Sequence, residues 1–258
     1  MNTEVPSFFQ ASVLFGSAVL GGGLNAIAGG GSFFSFPALI FTGIPPISAN
    51  ATNNAALLVG TVGSTTGYRK ELIGQVREVI PLIIVSVLGG ILGSVLLLHT
   101  PQKLFIKLVP LLLLLASLIF TFSKQIKKLK LTKNTESKTA SYFFKSIIFL
   151  IQLIFTTYGG YFGGGAGFLL LATLTFLSNE PRKQLAYKNL MMLVINSAAL
   201  VPFMLAGVVM WSQAILMAIG ALIGGFLSAK FAYKVQPNQL RRFVSATGFT
   251  MSVYFMVR

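Results

Sequence analysis

The chain contains no cysteine and no aspartate, and only one histidine and one tryptophan. Without cysteine there is no disulfide framework, no thiolate metal site and no thiol redox chemistry. Without aspartate the acidic groups reduce to Glu4, Glu71, Glu78, Glu136 and Glu180, all of which fall in loops or at the ends of apolar runs. No carboxylate lies within a hydrophobic span, so the usual intramembrane relay for protons or cations is missing. A cation substrate would lack its counter-charge, and an anion fits better. Proton coupling would have to use His99, tyrosine hydroxyls or the substrate itself. His99 sits beside Pro101 at the end of a span, where a histidine is more often structural than a shuttle. An enzyme would need a nucleophile with a base or a metal cluster, and neither HExxH nor GxSxG occurs.

Apolar side chains are what the sequence has in excess. They make up 54% of the residues against 10% charged, and the mean hydropathy is +0.80. A soluble domain carries about a quarter of its residues charged. Apolar runs of about 20 residues recur throughout, the length a helix needs to cross a hydrocarbon core about 30 Å thick. Only helices satisfy their backbone groups in such a segment, so the fold class is an all-α integral membrane protein. The segment "MNTEVPSFFQASVLFGSAVL" lacks the basic start and cleavage site of a signal peptide, and is expected to lead into a first helix that stays. Ten helical elements are predicted: 8–28, a short 32–43, 48–68, 77–98 and 103–122, then 142–161, a short 165–178, 186–207, 211–232 and 238–256. Residues 124–141, "KQIKKLKLTKNTESKTAS", form the one polar linker. Domains follow as 1–123, 124–141 and 142–258.

A net charge of +15 would suggest nucleic acid in a soluble protein. Here the basic residues lie in short loops, and no aromatic residue interleaves the linker lysines before Tyr142, so no nucleic-acid partner is expected. Attraction to anionic lipid headgroups is sufficient. Placing the 69–77 loop in the cytoplasm puts 17 of 20 Lys and Arg on that side, leaving Lys103, Lys107 and Arg258 outside. That distribution predicts a cytoplasmic linker and both termini outside. Trp211 and the Tyr and Phe residues near helix ends suit interfacial anchoring.

The two halves repeat. "AGGGSF" at 28–33 returns as "FGGGAGF" at 162–168, Asn54 returns as Asn189, "PQKL" at 101 returns as "PNQL" at 237, and Gly90 and Ser94 return as Gly224 and Ser228. The offsets run from 134 to 136. Five elements per half is an odd number, so the second copy enters the membrane upside down. Two inverted-topology repeats, each with one short glycine-broken helix, are expected, and such repeats mark secondary transporters with a substrate site between them.

Each glycine triplet, Gly29, Gly30 and Gly31 or Gly163, Gly164 and Gly165, precedes a helix too short to span. Such a half-helix begins inside the protein, with free N–H groups and the positive end of its dipole available to an anion. Ser32 opens the first of them. The alternative is that the glycines serve helix packing alone. Downstream, "PPISANATNNAALL" and "NEPRKQLAYKNLMM" begin with helix-start prolines and carry Asn50, Asn53 and Asn54 in one copy and Lys188 and Asn189 in the other. Amides one or two turns into a membrane helix are costly without a partner or a wet cavity. They either donate to oxyanion groups or bond to neighbouring helices. Lys188, about 9 Å along the helix from Arg182, either charges a bound anion or snorkels to the edge. The substrate-binding set is therefore Gly29, Gly30, Gly31, Ser32, Asn50, Asn53, Asn54, Gly163, Gly164, Gly165, Lys188 and Asn189, with no cofactor and no metal.

"GGGLNAIAGGGSFFSFPALIFTGIPPISANATNNAAL" and its repeat "YGGYFGGGAGFLLLATLTFLSNEPRKQLAYKNL" resemble the sulfite exporter TauE/SafE family, also called the toluene-sulfonate uptake permeases, over residues 10–256. The second copy departs from the first, with Leu171 in the place of Pro37 and a basic segment in the place of neutral amides. The resemblance implies a multi-pass permease of the bacterial inner membrane that moves sulfite, sulfonates, sulfoacetate or related small anions by alternating access. A passive anion channel or a membrane assembly factor is the alternative. Neither the direction of transport nor the oligomeric state is legible in the sequence.

Overall fold

The structure is a computed structural model that describes residues 6–128, 138–178, 180–231 and 237–257. Its regular elements are α1 (Phe8–Ile27), α2 (Ser32–Phe41), α3 (Pro46–Gly67), α4 (Arg69–Leu72), α5 (Val76–Leu98), α6 (Gln102–Lys128), α7 (Lys138–Tyr161), α8 (Ala166–Leu177), α9 (Pro181–Leu205), α10 (Trp211–Phe231) and α11 (Pro237–Val257). Among the described residues there is no strand. Among the described residues four helices, α1, α5, α9 and α10, are long and apolar enough to cross a membrane.

Local chemistry sets the boundaries. Ser7 caps α1, its Oγ accepting from Gln10 N–H while Gln10 Oε1 accepts from Ser7 N–H, a reciprocal capping box. Pro46 and Pro181 occupy first-turn positions of α3 and α9, where a missing N–H costs nothing. The helix expected from residue 186 therefore begins five residues earlier, at Pro181. The turn α4 was expected as loop, and four residues are too few to show a period. α6 continues to Lys128 and α7 begins at Lys138, so the basic stretch expected as a linker is helical at both ends. Its centre, 129–137, lies outside the described residues.

The helices pack with small residues inward and large ones outward. On α5, Ser86, Gly89, Gly90, Gly93 and Ser94 are buried while Ile80, Ile84, Leu88, Ile91, Leu92 and Leu96 are exposed. α10 repeats the arrangement, with Gly220, Ala221, Gly224 and Gly225 inside and Ile215, Ile219, Ile223, Phe226 and Leu227 outside. Lipid tails are as apolar as leucine, so association in a bilayer comes from close backbone approach through small residues rather than from burying large ones.

Helix partners are defined by these contacts. α1 packs on α10, α2 and α3; α7 packs on α5, α8 and α9; α3 lies on α9 and α10, α5 on α9, and α6 on α11. α3 and α9 run antiparallel, because Asn54 meets Asn196 while Ser64, ten residues on, meets Asn189, seven residues back. The end of α3, α4, the start of α5 and the start of α9 lie together, tied by Arg182–Glu71 at 3.6 Å and Lys183–Glu78 at 3.1 Å. At the opposite end Thr52 Oγ1 accepts from Met210 N–H, joining the start of α3 to the approach to α10.

Candidate functional site

α1 and α7 both stop inside the bundle at a left-handed glycine, Gly29 with φ +89° and Gly163 with φ +73°. Only glycine holds that conformation without strain. At Gly29 there is a second reason: a Cβ there would sit 2.3 Å from Gly167 Cα. The two glycine-rich breaks touch backbone to backbone. Phe33 and Phe168 stack beside that contact with ring centroids 6.1 Å apart. The short helices α2 and α8, of 10 and 12 residues, start from these breaks.

Amides from α3 bind the breaks in place. Asn53 Nδ2 donates to Ser32 Oγ at 2.9 Å, and Ser35 Oγ donates to Asn53 Oδ1, joining α3 to the first turn of α2. Asn50 Nδ2 donates to Tyr161 O at 3.0 Å, at the end of α7. Tyr158 Oη donates to Gly164 O at 2.6 Å across the second break. Asn50, Asn53 and Tyr158 thereby satisfy backbone or hydroxyl groups at the breaks.

A cavity lies beside them, lined by Ser32, Asn50, Asn53, Asn54, Gly163 and Asn196 with Leu57, Gly159, Phe162 and Met192. It is small, about 10 Å³, near the least that holds one water. Asn54 Nδ2 donates to Asn196 Oδ1 at 3.2 Å. Asn54 Oδ1 and Asn196 Nδ2 have no hydrogen-bond partner in the protein, although the residues are only 8% and 3% exposed. Turning both amides over exchanges their roles but still leaves one spare acceptor and one spare N–H donor. Each such buried group costs about 1–3 kcal/mol when unmet.

The sequence-predicted residues thus divide. Ser32, Asn50, Asn53, Asn54 and Gly163 line the cavity. Gly29 and Gly30 pack on Gly167 and Phe168, Gly31 on the carbonyl of Gly21, Gly164 on the Phe162 ring and Gly165 on Ala116. Lys188 and Asn189 form a separate cluster at the end of α1. Lys188 Nζ donates to Asn25 O, to Ala26 O at 3.0 Å and to Asn189 Oδ1 at 3.0 Å, and Asn189 Nδ2 donates to Ala26 O at 2.9 Å. Sequence reasoning missed Asn196. Its signal was available, because an amide within "MMLVINSAALV" raises the same cost argument that singled out Asn54.

A bundle of apolar helices, interrupted at two glycine breaks around an internal polar cavity, is the architecture of a multi-pass membrane protein. The family described as Sulfite exporter TauE/SafE matches residues 14–255, and the chain belongs to it. A probable membrane transporter protein of Haemophilus influenzae is 28% identical over 242 residues, 93% of this chain and 92% of the relative. The probable membrane transporter protein ORF9 of a Sinorhizobium species is 27% identical, covering 88% of this chain and 84% of its own. The probable membrane transporter protein YfcA of Escherichia coli K12 is 24% identical over 93% of this chain and 87% of its own. No solved structure matches.

Proposed function

We propose that the protein is a secondary transporter for small sulfur-containing or organic oxyanions such as sulfite, sulfonates or sulfoacetate, working by alternating access around the Asn54–Asn196 cavity. The observation that carries this reading is the pair of spare hydrogen-bonding groups in that cavity, Asn196 Nδ2 and Asn54 Oδ1. The spare N–H suits an oxyanion oxygen. The spare carbonyl oxygen suits a hydrogen on the same ligand, as on a singly protonated oxyanion or an amino sulfonate. A ligand meeting both groups recovers the free energy that each costs when unmet.

Two inverted repeats supply the movement. The packing of α1 on α10 is matched by that of α7 on α5, α3 on α10 by α9 on α5, and α1 on α2 by α7 on α8. Exchanging the halves maps each of these pairs onto the other. The antiparallel α3 and α9 are then counterparts across the axis, and the cavity lies at their junction, where transporters of inverted topology hold substrate. The cavity is too small for an oxyanion, so loading requires the repeats to part on one side. Orientation follows the basic residues: the end carrying Arg69, Lys70, Arg77, Arg182 and Lys183 faces the cytoplasm of a bacterial inner membrane.

The test is flux into liposomes containing purified protein, screening sulfite, thiosulfate, sulfoacetate, taurine-like sulfonates and carboxylates. Saturable uptake accelerated by the same anion inside the vesicle is expected for at least one of them. Linear flux without counter-exchange would make the protein a channel, and no flux of any anion would remove the proposal.

A further inference from the structure

Among the described residues Lys188 is the one fully buried charged side chain, and its partners are unusual for an ammonium. Among the described residues no carboxylate pairs with it; the ion pairs there are Arg182–Glu71 and Lys183–Glu78, at the end of the bundle. Its three contacts are oxygens of neutral groups: Asn25 O, Ala26 O and Asn189 Oδ1. Asn25 and Ala26 belong to the last turn of α1, which stops at Ile27 before the left-handed Gly29. Carbonyls in a final turn have no amide four residues on, and they form the negative end of the helix dipole. In transporters with broken helices, such half-helix ends coordinate a coupling cation.

We infer that the end of α1 is a monovalent-cation seat filled by the tethered ammonium of Lys188, so that the protein needs no bound Na⁺ or K⁺ there. Three observations support the seat. Ser64 Oγ donates to Asn189 Oδ1 at 3.0 Å and orients that ligand. Gly167 makes room for the lysine stem, since a Cβ there would lie 3.1 Å from Lys188 Cδ. The corresponding end of α7 is met instead by a neutral amide, Asn50 Nδ2 on Tyr161 O, so charge is supplied at one break and not the other. Neutral oxygens without a carboxylate suit a monovalent ion and not Ca²⁺ or Mg²⁺, which are held through carboxylates. The seat rests on the helix break and is independent of which anion is carried.

The test compares full-length wild type with Lys188→Ala and Lys188→Gln, purified in detergent, by thermal unfolding in NaCl, KCl or choline chloride at equal ionic strength. Wild type is expected to unfold at one temperature in all three. The variants are expected to unfold earlier in choline and to gain stability progressively with Na⁺ or K⁺ concentration, as a ligand that binds only the folded state requires. Variants indifferent to the cation overturn the seat, as does a wild type that Na⁺ stabilises over choline. Failure of both variants to fold in every salt also overturns it, because a free ion then does not replace the lysine. Sulfite uptake by Lys188→Ala vesicles is the second readout, expected to rise about tenfold or more with the stabilising ion. Cation-dependent stability without uptake by wild type would establish the seat and count against sulfite as the cargo.

Discussion

At the scale of single residues, the proposed anion site lets function be tested apart from stability. Asn54 and Asn196 share one hydrogen bond and leave one donor and one acceptor unmet. Alanine at either position is expected to weaken anion uptake by about 10- to 100-fold, the worth of a hydrogen bond to a charged ligand. The same change should cost only about 1 kcal/mol of stability, because one hydrogen bond is lost while the number of unmet buried groups stays at two, the partner's freed atom replacing the one removed. The double variant should be hardly worse than either single one, since the two amides act as a unit. Flux and melting curves on the three variants check this, and equal loss of folding and flux would make the pair structural. The glycines are a poorer probe. A Cβ at Gly31 would lie 2.3 Å from Gly21 O, and one at Gly165, with φ +78°, would lie 2.4 Å from Ala116 Cβ. Gly31→Val and Gly165→Val are therefore expected to lower the yield of folded protein as well as uptake.

At the scale of the elements, the inside-out packing of α5 and α10 gives a directional expectation. Gly224 faces α1, where a Cβ would stand 2.0 Å from Val19 O, whereas Ile219 is 53% exposed. Gly224→Leu should prevent recovery of monodisperse protein, while Ile219→Ala should stay within about 0.5 kcal/mol of wild type; size-exclusion profiles and melting curves distinguish the two. The helices themselves were legible in the sequence because apolar runs of membrane length, prolines at starts and glycines at stops are local signals. The short α2 and α8 were legible from their triplets. The turn α4 was not, because one turn carries no period; the start of α9 was marked by its helix-start proline, Pro181, although the polar residues after it carry no apolar period. For the site, Ser32, the three asparagines of α3 and Gly163 could be read from spacing. That Lys188 would serve α1 rather than the cavity could not, because it depends on where α1 ends against α9, a contact between residues more than 160 positions apart.

At the scale of the whole molecule, the packing fixes which surfaces share a side of the membrane. Phe41, at the end of α2, and Ala206, after α9, lie at the end where α3 starts, while Val76 lies with the α4 cluster. No native cysteine competes. Single cysteines at 41 and 206 are expected to react with a membrane-impermeant maleimide from outside the cell, and one at 76 only after lysis. Labelling of 76 from outside would reverse the proposed orientation. The meeting of Gly29 with Gly167 ties the two halves together in one further respect. With no side chain on either, bulk gained at one position has nowhere to go unless the opposite strand of backbone retreats. Natural variants of this chain are therefore expected to keep glycine at both positions, because neither can shrink to admit a side chain on the other.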